Sequence, residues 1–122
     1  MRKPDQTPPA SFPHERLNVH AVLVEAFALV AHWSGLPVGR GTTGVQLRRA
    51  LSSALLRYAE GYYAQGGGQV TLWKGARTSC GESAAAVLSL ATERRISSQQ
   101  AEEVRHLLAR AMSMLTRLTH RL

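Results

Sequence analysis

The stretch ISSQQAEEVRHLLARAMSMLTRLTHRL, residues 96–122, decides the fold because its apolar residues recur at helical spacing. Ser97, followed three positions later by Gln100, forms a capping-box pattern that marks the start of a helix. From there the apolar positions step alternately by three and four, which is typical of a helix packed along one stripe. These positions are Ala101, Val104, Leu108, Ala111, Leu115, Leu118 and Leu122. The stretch predicts one long helix of a helical bundle.

Three segments upstream have the same helical character. Residues 17–33 are nearly all apolar without strand-like alternation, which predicts a helix buried on most of its circumference. Residues 45–64 and 69–94 carry apolar side chains at helical spacing. Glycine-rich stretches at 34–44 and 65–68 separate these segments and predict loops.

Two local patterns refine the predicted helices. Thr42 or Thr43 stands where a side chain caps the helix of residues 45–64. Gly75 and Gly81 lie among alanines and serines, which predicts a face of small side chains where another helix approaches closely.

The four predicted helices are long and their connections are short. Short connections favour neighbours that run in opposite directions, so we expect an all-α, antiparallel, up-down-up-down four-helix bundle over residues 14–122. Residues 1–13 contain four prolines and predict a disordered arm outside the bundle.

The chain is strongly basic. Its 122 residues carry a formal net charge of +7, and 13 of the 15 basic residues are arginine. Arginine suits phosphate and carboxylate groups, and a basic domain is typical of nucleic-acid binding. A GC-rich genome, which favours arginine, alanine and glycine, explains the same composition without any such role. RNA or DNA therefore stays open as a partner.

Hydropathy and cysteine usage predict a cytoplasmic protein with no membrane partner. The longest apolar run, residues 26–31, is far too short to cross a bilayer. The first 14 residues lack the apolar core of a signal peptide. The single cysteine, Cys80, excludes an internal disulfide and any metal site built from several cysteines.

The sequence offers no positive case for an enzyme, a metal site or a cofactor. Glu103 and His106 form one Glu-x-x-His pair, whereas a di-iron bundle needs two. The glycines at 66–68 lack the Gly-Lys-Ser/Thr of a phosphate loop. No nucleophile, base and orienting group can be nominated by spacing, so we expect a protein that is not an enzyme.

Two motifs carry a family resemblance: QLRRALSSALLRYAEGYYAQG at 46–66 and ARTSCGE at 76–82. Together they resemble the signature of a bacterial four-helix-bundle family encoded by intervening sequences within 23S ribosomal RNA genes. The matching residues are Gln46, Leu47, Arg48, Arg49, Ala50, Ser53, Ala59, Glu60, Gly61, Ala76, Arg77, Ser79 and Glu82. Arg57 stands where the family has asparagine, and Thr78 stands where it has glycine.

The resemblance implies a four-helix bundle that assembles with itself into a homopentamer, with a function that is largely unassigned. More distantly, the chain resembles accessory proteins of diversity-generating retroelements. Those are basic pentamers that engage nucleic acid and a reverse transcriptase.

The charged residues of the motifs form the candidate site, and they allow two interpretations. Glu60 and Arg77 flank one predicted loop and would form an ion pair within a polar network between helices, because a buried charge needs a partner. Alternatively, the arginines contact nucleic acid. The candidate residues are Arg48, Arg49, Arg57, Glu60, Arg77, Ser79 and Glu82. If these arginines are buried in pairs, the contact falls to Arg105, Arg110, Arg117 and Arg121.

The function we expect is that of a homo-oligomeric, nucleic-acid-associated accessory or scaffold protein. The alternative is a protein–protein interaction module without a nucleic-acid role, anchored by Tyr62, Tyr63 and Trp73, since such residues dominate interface hot spots. The apolar excess of residues 17–33 fits either a neighbouring subunit or a central position in the chain's own bundle.

Overall fold

The computed structural model describes residues 12–120, which are all helix, turn and loop without any strand. A short 3₁₀ helix, Pro13–Arg16, precedes four α-helices. The α-helices are α1 (Asn18–Ala31), α2 (Thr43–Tyr63), α3 (Gly67–Thr92) and α4 (Ser98–His120). The predicted all-α class is confirmed. Across the described part of the chain, every helix is too short or too polar to cross a membrane.

The four α-helices form a ring in which each one packs against two others. α1 contacts α2 and α4, and α3 contacts the same two helices, whereas no α-carbon of α1 lies within 8 Å of one in α3. The ring encloses one apolar core whose largest fully buried side chains come from all four helices. Among them are Leu23, Leu47, Tyr58, Leu90 and Leu108. Burial of these side chains is the main force that holds the ring together.

Side-chain contacts show which parts of neighbouring helices meet. Gln69, near the start of α3, donates a hydrogen bond to the carbonyl oxygen of Gly61, near the end of α2. Farther along, Ser79 of α3 donates to Ser53 of α2. At the end of the ring where Gln69 meets Gly61, the hydroxyl of Tyr58 donates to the carbonyl oxygen of His14, just before α1. We call this end, with His14, Tyr58, Tyr62 and Tyr63, the tyrosine end.

Both predicted N-terminal caps are present. The backbone N–H of Val45 donates to Thr42 Oγ1 over 3.4 Å, which caps α2. At α4 the capping box is reciprocal: the N–H of Gln100 donates to Ser97 Oγ, and the N–H of Ser97 donates to Gln100 Oε1. These bonds satisfy donors that the first turn of a helix leaves without a partner.

The buried stripe of α4 follows the predicted steps at first and then drifts. Ala101, Val104, Leu108, Ala111 and Leu115 are buried as predicted. The next predicted position, Leu118, is only partly buried, and its neighbour Thr119 is buried instead. An α-helix has 3.6 residues per turn, so a strict alternation of three and four slips off one face. The last predicted position, 122, lies outside the described residues.

The prediction that residues 17–33 are buried on most of their circumference is wrong. α1 buries one stripe, which includes Leu23 and Ala26, while Ala21, Val24 and Ala28 are exposed on the opposite side. α1 is one member of the ring, so only the side facing α2 and α4 is covered. Its outer face nevertheless carries an apolar stripe, with Asn18 and Glu25 exposed beside it.

The predicted close approach on α3 occurs at one glycine but not at the other. An added Cβ at Gly75 would lie 3.2 Å from Cδ of Arg57, whereas one at Gly81 would meet nothing within 4 Å. Among the glycines of α2 and α3, the closest approach lies at Gly61, where a Cβ would stand 2.5 Å from Cδ1 of Trp73. Of the predicted arm 1–13, residues 1–11 lie outside the described residues, and Pro13 begins the 3₁₀ helix.

Candidate functional site

Most of the predicted site residues lie along the groove between α2 and α3. Arg49 and Glu82 line a cavity of about 600 Å³ that opens between the two helices. An adjoining hollow of about 330 Å³ on the surface of α2 is lined by Arg49, Arg57 and Glu60. Ser79 is buried beneath this seam. The structure therefore brings five of the seven predicted residues together on one side of the ring.

Arg57 does not enter the core, although it interrupts an apolar run. Its side chain is exposed and crosses α3 at Gly75, where its Nη1 donates to the Gly75 carbonyl oxygen over 3.4 Å. The same nitrogen lies 3.4 Å from Ser79 Oγ, which in turn donates to Ser53 Oγ over 3.1 Å. Gly75 leaves the room that the guanidinium stem needs. The polar network between α2 and α3 thus combines one exposed cation with two serines.

Arg48 and Arg77 lie apart from this groove. Arg77 is half-buried and donates from Nη1 to Thr116 Oγ1 of α4 over 3.1 Å. Arg48 is exposed on α2. No ion pair joins Glu60 to Arg77, both of which the structure describes, so that part of the predicted polar network is wrong for the single chain. The Arg77 side chain reaches α4, whereas Glu60 is exposed on α2. The two side chains therefore lie on different sides of α3.

The arginines lie on the surface. Of the eleven in residues 12–120, only Arg77 is not exposed. Within that same range the one ion pair is between Arg95 and Glu93, with a separation of 3.9 Å and both side chains 54% exposed. The exposed arginines are Arg16, Arg40, Arg48, Arg49, Arg57, Arg94, Arg95, Arg105, Arg110 and Arg117. Almost all of the arginine charge therefore faces solvent without an intramolecular carboxylate.

An aromatic cluster at the tyrosine end was not predicted from the sequence. His14 sits at its centre, with its Nδ1 2.9 Å from the hydroxyl of Tyr63 and its ring 5.5 Å from that of Tyr63. The rings of Phe12, His20, Tyr58 and Tyr62 all lie within 6.4 Å of the His14 ring. Tyr62–Tyr63 was visible as a pair, but nothing in the sequence indicates that His14 would join it from 49 residues away.

Tyr58 is the buried anchor of this cluster. Burial, and then the neighbouring Tyr62 and Tyr63, raise the pKa of the Tyr58 hydroxyl above its ordinary value. The hydroxyl therefore stays protonated and donates to the His14 carbonyl oxygen over 2.6 Å. This bond holds the 3₁₀ helix on the end of α2.

Trp73 is not the exposed anchor that the interaction-module hypothesis required. Its side chain is 5% exposed, and its Nε1 donates to the carbonyl oxygen of Tyr58 over 3.1 Å. The indole packs against Gly61, where any larger residue would collide with it. Trp73 therefore stabilises the contact between α2 and α3, and of the three proposed anchors only Tyr62 and Tyr63 reach the surface.

Two observations concern metal ligands and the single thiol in the described part of the chain. No group of three or more His, Cys, Asp or Glu side chains in residues 12–120 is placed to hold a metal ion. The Cys80 thiol is fully buried, and burial raises its pKa to about 12. A thiol with so high a pKa is a poor nucleophile at neutral pH.

A scan against protein-family models and a search of curated proteins find no match for this chain. The resemblance to the family encoded within ribosomal RNA genes therefore stays a prediction that rests on the two sequence motifs. The candidate site has to be argued from its own geometry and charge.

Proposed function

We propose that the chain is a non-enzymatic, nucleic-acid-associated accessory or scaffold protein that works as a homo-oligomer in the cytoplasm. Its four helices would alternate in direction as an antiparallel bundle, an arrangement supported by the contacts of Gln69 with Gly61 and of Ser79 with Ser53. A pentamer is the assembly that the family resemblance suggests. RNA or DNA is the proposed partner, with no cofactor and no membrane.

The observation that carries the proposal is that the described arginines are exposed and mostly lack a carboxylate partner. Ten of the eleven described arginines are exposed, and only Arg95 is within ion-pair distance of a carboxylate. A structural role for arginine in a small bundle is to pair with carboxylates, and that role is absent at the other described arginines. Guanidinium groups that face solvent are available to phosphates, and neutralising phosphates releases counterions from the nucleic acid.

The distribution of charge along α4 adds to this. Its last acidic residue is Glu103, and the rest of the helix carries Arg105, Arg110 and Arg117 on its exposed side. Arg105 is fixed by a 2.9 Å hydrogen bond from its Nη1 to the Ala84 carbonyl oxygen of α3. The groove of α2 and α3 is less purely basic, because Glu60 and Glu82 lie beside Arg49 and Arg57. This comparison favours α4 over the motif arginines as the main phosphate contact.

Self-assembly is supported by the outer face of α1. Ala21, Val24 and Ala28 lie there on successive turns, and Val24 is 41% exposed. An apolar stripe of this kind gains from being covered by another subunit, because apolar surface is removed from water.

The second candidate function is a protein–protein interaction module. It is favoured by two leucines that are exposed on the outside of the ring, Leu56 at 58% and Leu88 at 53%. A protein partner would cover such side chains, whereas a phosphate backbone would not.

A titration separates the two functions. Labelled structured RNA and duplex DNA are titrated with the protein at low and at near-physiological salt. Binding that persists at near-physiological salt and falls steeply with salt supports the accessory role, since the log–log slope is about 0.9 per phosphate neutralised on duplex DNA. Substitution of Arg110 and Arg117 with glutamine is expected to flatten that slope. The matched control replaces Arg94 and Arg95 with glutamine. Binding that occurs only at low salt would contradict the proposal.

Assembly is tested separately by sedimentation. Val24→Arg is expected to shift the protein toward smaller species, because it places a charge on the proposed contact. Val38→Arg is the control, since Val38 is 74% exposed in the loop before α2. Equal sizes for both variants and for the unchanged protein would exclude α1 as the contact.

A further inference from the structure

The tyrosine end carries the aromatic surface of the described chain. Of the seven Phe, Trp and Tyr residues, only Phe12 and Tyr63 are exposed, at 60% and 55%. Both belong to the cluster around His14, where the Phe12 ring stacks on the imidazole at 6.1 Å. Phe27 and Trp33 are at least partly buried elsewhere. Exposed aromatic rings are costly to leave in water, so two of them packed on the same His14 point to a ligand that covers them.

The cluster is held rigidly. The hydrogen bond between His14 Nδ1 and the Tyr63 hydroxyl, together with the edge-on contact of Tyr62 at 5.2 Å, limits rotation of the Tyr63 ring. The Tyr58 bond to the His14 backbone fixes the base of the cluster. A ring that is already ordered loses little conformational entropy when a ligand stacks on it.

Charge is concentrated in the same half of the molecule. We divide each α-helix at its midpoint and assign the connecting segments of residues 12–120 to the half that they adjoin. Among these residues, the half with the tyrosine end contains six basic residues and two acidic ones, Glu15 and Glu60. The other half contains six basic and five acidic residues. The six basic residues of the first half are Arg16, Arg57, Lys74, Arg77, Arg110 and Arg117. The net charge is therefore +4 around the aromatic cluster and +1 at the opposite end.

One of these cations is close to the cluster along the chain, and another lines a groove that adjoins the 3₁₀ helix. Arg16 is exposed in the 3₁₀ helix, two residues after His14. Arg117 of α4 lines a groove of about 300 Å³ together with Leu17 and Asn18, which directly follow Arg16. This groove therefore lies at the end of the 3₁₀ helix that carries His14.

We propose that the tyrosine end binds single-stranded nucleic acid, with bases stacked on Tyr63 and Phe12 and with phosphates held by Arg16 and Arg117. Single strands expose the faces of their bases, and proteins bind them by combining aromatic platforms with cationic grooves. A duplex hides its base faces in the stack and gains nothing from Tyr63. The inference rests on the proposed nucleic-acid role and names the form of nucleic acid and the surface that takes it.

The test measures fluorescence anisotropy of a labelled, unstructured RNA 12-mer and of a matched duplex at near-physiological salt. Tyr63→Leu removes the aromatic face and keeps an apolar side chain. It is expected to weaken single-strand binding about tenfold and to leave duplex binding unchanged. Tyr63→Phe keeps the ring but loses the hydrogen bond to His14, and it is expected to bind the single strand more tightly than Tyr63→Leu does. Leu88→Ala, which removes an exposed apolar side chain outside the cluster, is the control and is expected to have no effect.

The outcomes separate this inference from the proposed function. Duplex binding without single-strand binding, or equal affinities for Tyr63→Leu and the unchanged protein, overturns the single-strand site and leaves the nucleic-acid role intact. Binding of neither probe overturns both. Tyr63→Leu could also bind both probes as tightly as the unchanged protein does and yet form smaller assemblies in sedimentation. The cluster would then be a contact between subunits, and the inference would be wrong.

Discussion

The seam between α2 and α3 differs from the two seams that hold α1. Between α2 and α3, small residues allow close approach, and side chains donate hydrogen bonds across the seam from Arg57, Gln69, Trp73 and Ser79. α1 meets α2 and α4 through aliphatic residues such as Val22, Leu23 and Val30. No side-chain hydrogen bond joins α1 to another helix within residues 12–120.

The difference shows two ways of holding a helix in place. Aliphatic packing supplies most of the free energy but tolerates small shifts, because it has no direction. The hydrogen bonds between α2 and α3 and the packing of the Trp73 indole on Gly61 allow only one register of the two helices. A shift along the helix axis would break the bonds or cause a collision. We infer that α1 contributes stability while the seam of α2 and α3 determines register. Substitutions on each side test this division.

The largest effect is expected in α1. Leu23→Ala removes a side chain that is 2% exposed and is expected to lower the free energy of unfolding by about 2–5 kcal/mol. Urea unfolding at one fixed protein concentration measures it. The matched control is Val24→Ala on the outer face, for which a change within about 0.5 kcal/mol is expected in the single chain. Equal losses for the two variants would contradict the separation of α1 into a core face and an outer face.

The next effect concerns register at the seam of α2 and α3. Gly61→Ala places a Cβ 2.5 Å from Trp73 Cδ1 and 3.3 Å from Leu72 Cβ. Because the indole is fixed by its bond to Tyr58, we expect a loss of about 1–3 kcal/mol by thermal or urea unfolding. Gly81→Ala is the control in α3, where the new methyl group meets no atom within 4 Å. It is expected to stabilise the protein by about 1 kcal/mol, because alanine favours a helix.

A smaller effect is expected for the serine pair. Ser79→Ala removes the donor to Ser53 Oγ and the acceptor for Arg57, with an expected loss of about 1 kcal/mol. A double-mutant cycle with Ser53→Ala measures the coupling between the two hydroxyls. Strict additivity of the two single losses would show that the hydrogen bond contributes nothing. Ser113→Ala, at an exposed position on α4, serves as the control.

The smallest effect is expected at Glu60. Its carboxylate is exposed and forms no ion pair or hydrogen bond with another described residue, so Glu60→Ala should change the free energy of unfolding by less than about 0.5 kcal/mol. Melting temperature and sedimentation are measured together. A clear fall in the melting temperature or in the assembly size would contradict this expectation. It would support the polar network predicted from the sequence, with the cation that pairs with Glu60 supplied by a partner subunit.

Local patterns predicted the elements of the fold better than their contacts. The cap of α2 was predicted at Thr42 or Thr43 and is Thr42, and the predicted Ser97–Gln100 box is present, because a cap is satisfied within a few residues of chain. The candidate site was predicted only in part. Arg49 and Arg57 do line one hollow, as the sequence suggested. Arg77, the expected partner of Glu60, donates a hydrogen bond to Thr116 instead.

The sequence by itself determined four helices, their caps and their connections, because backbone hydrogen bonding and capping act between residues close along the chain. It also determined the basic charge. Only the tertiary structure decided which side of α1 is covered, that Trp73 lies on Gly61, and that His14 bonds to Tyr63. Those contacts join residues far apart in the chain. They depend on how four helices share one core, and no single helix encodes that arrangement.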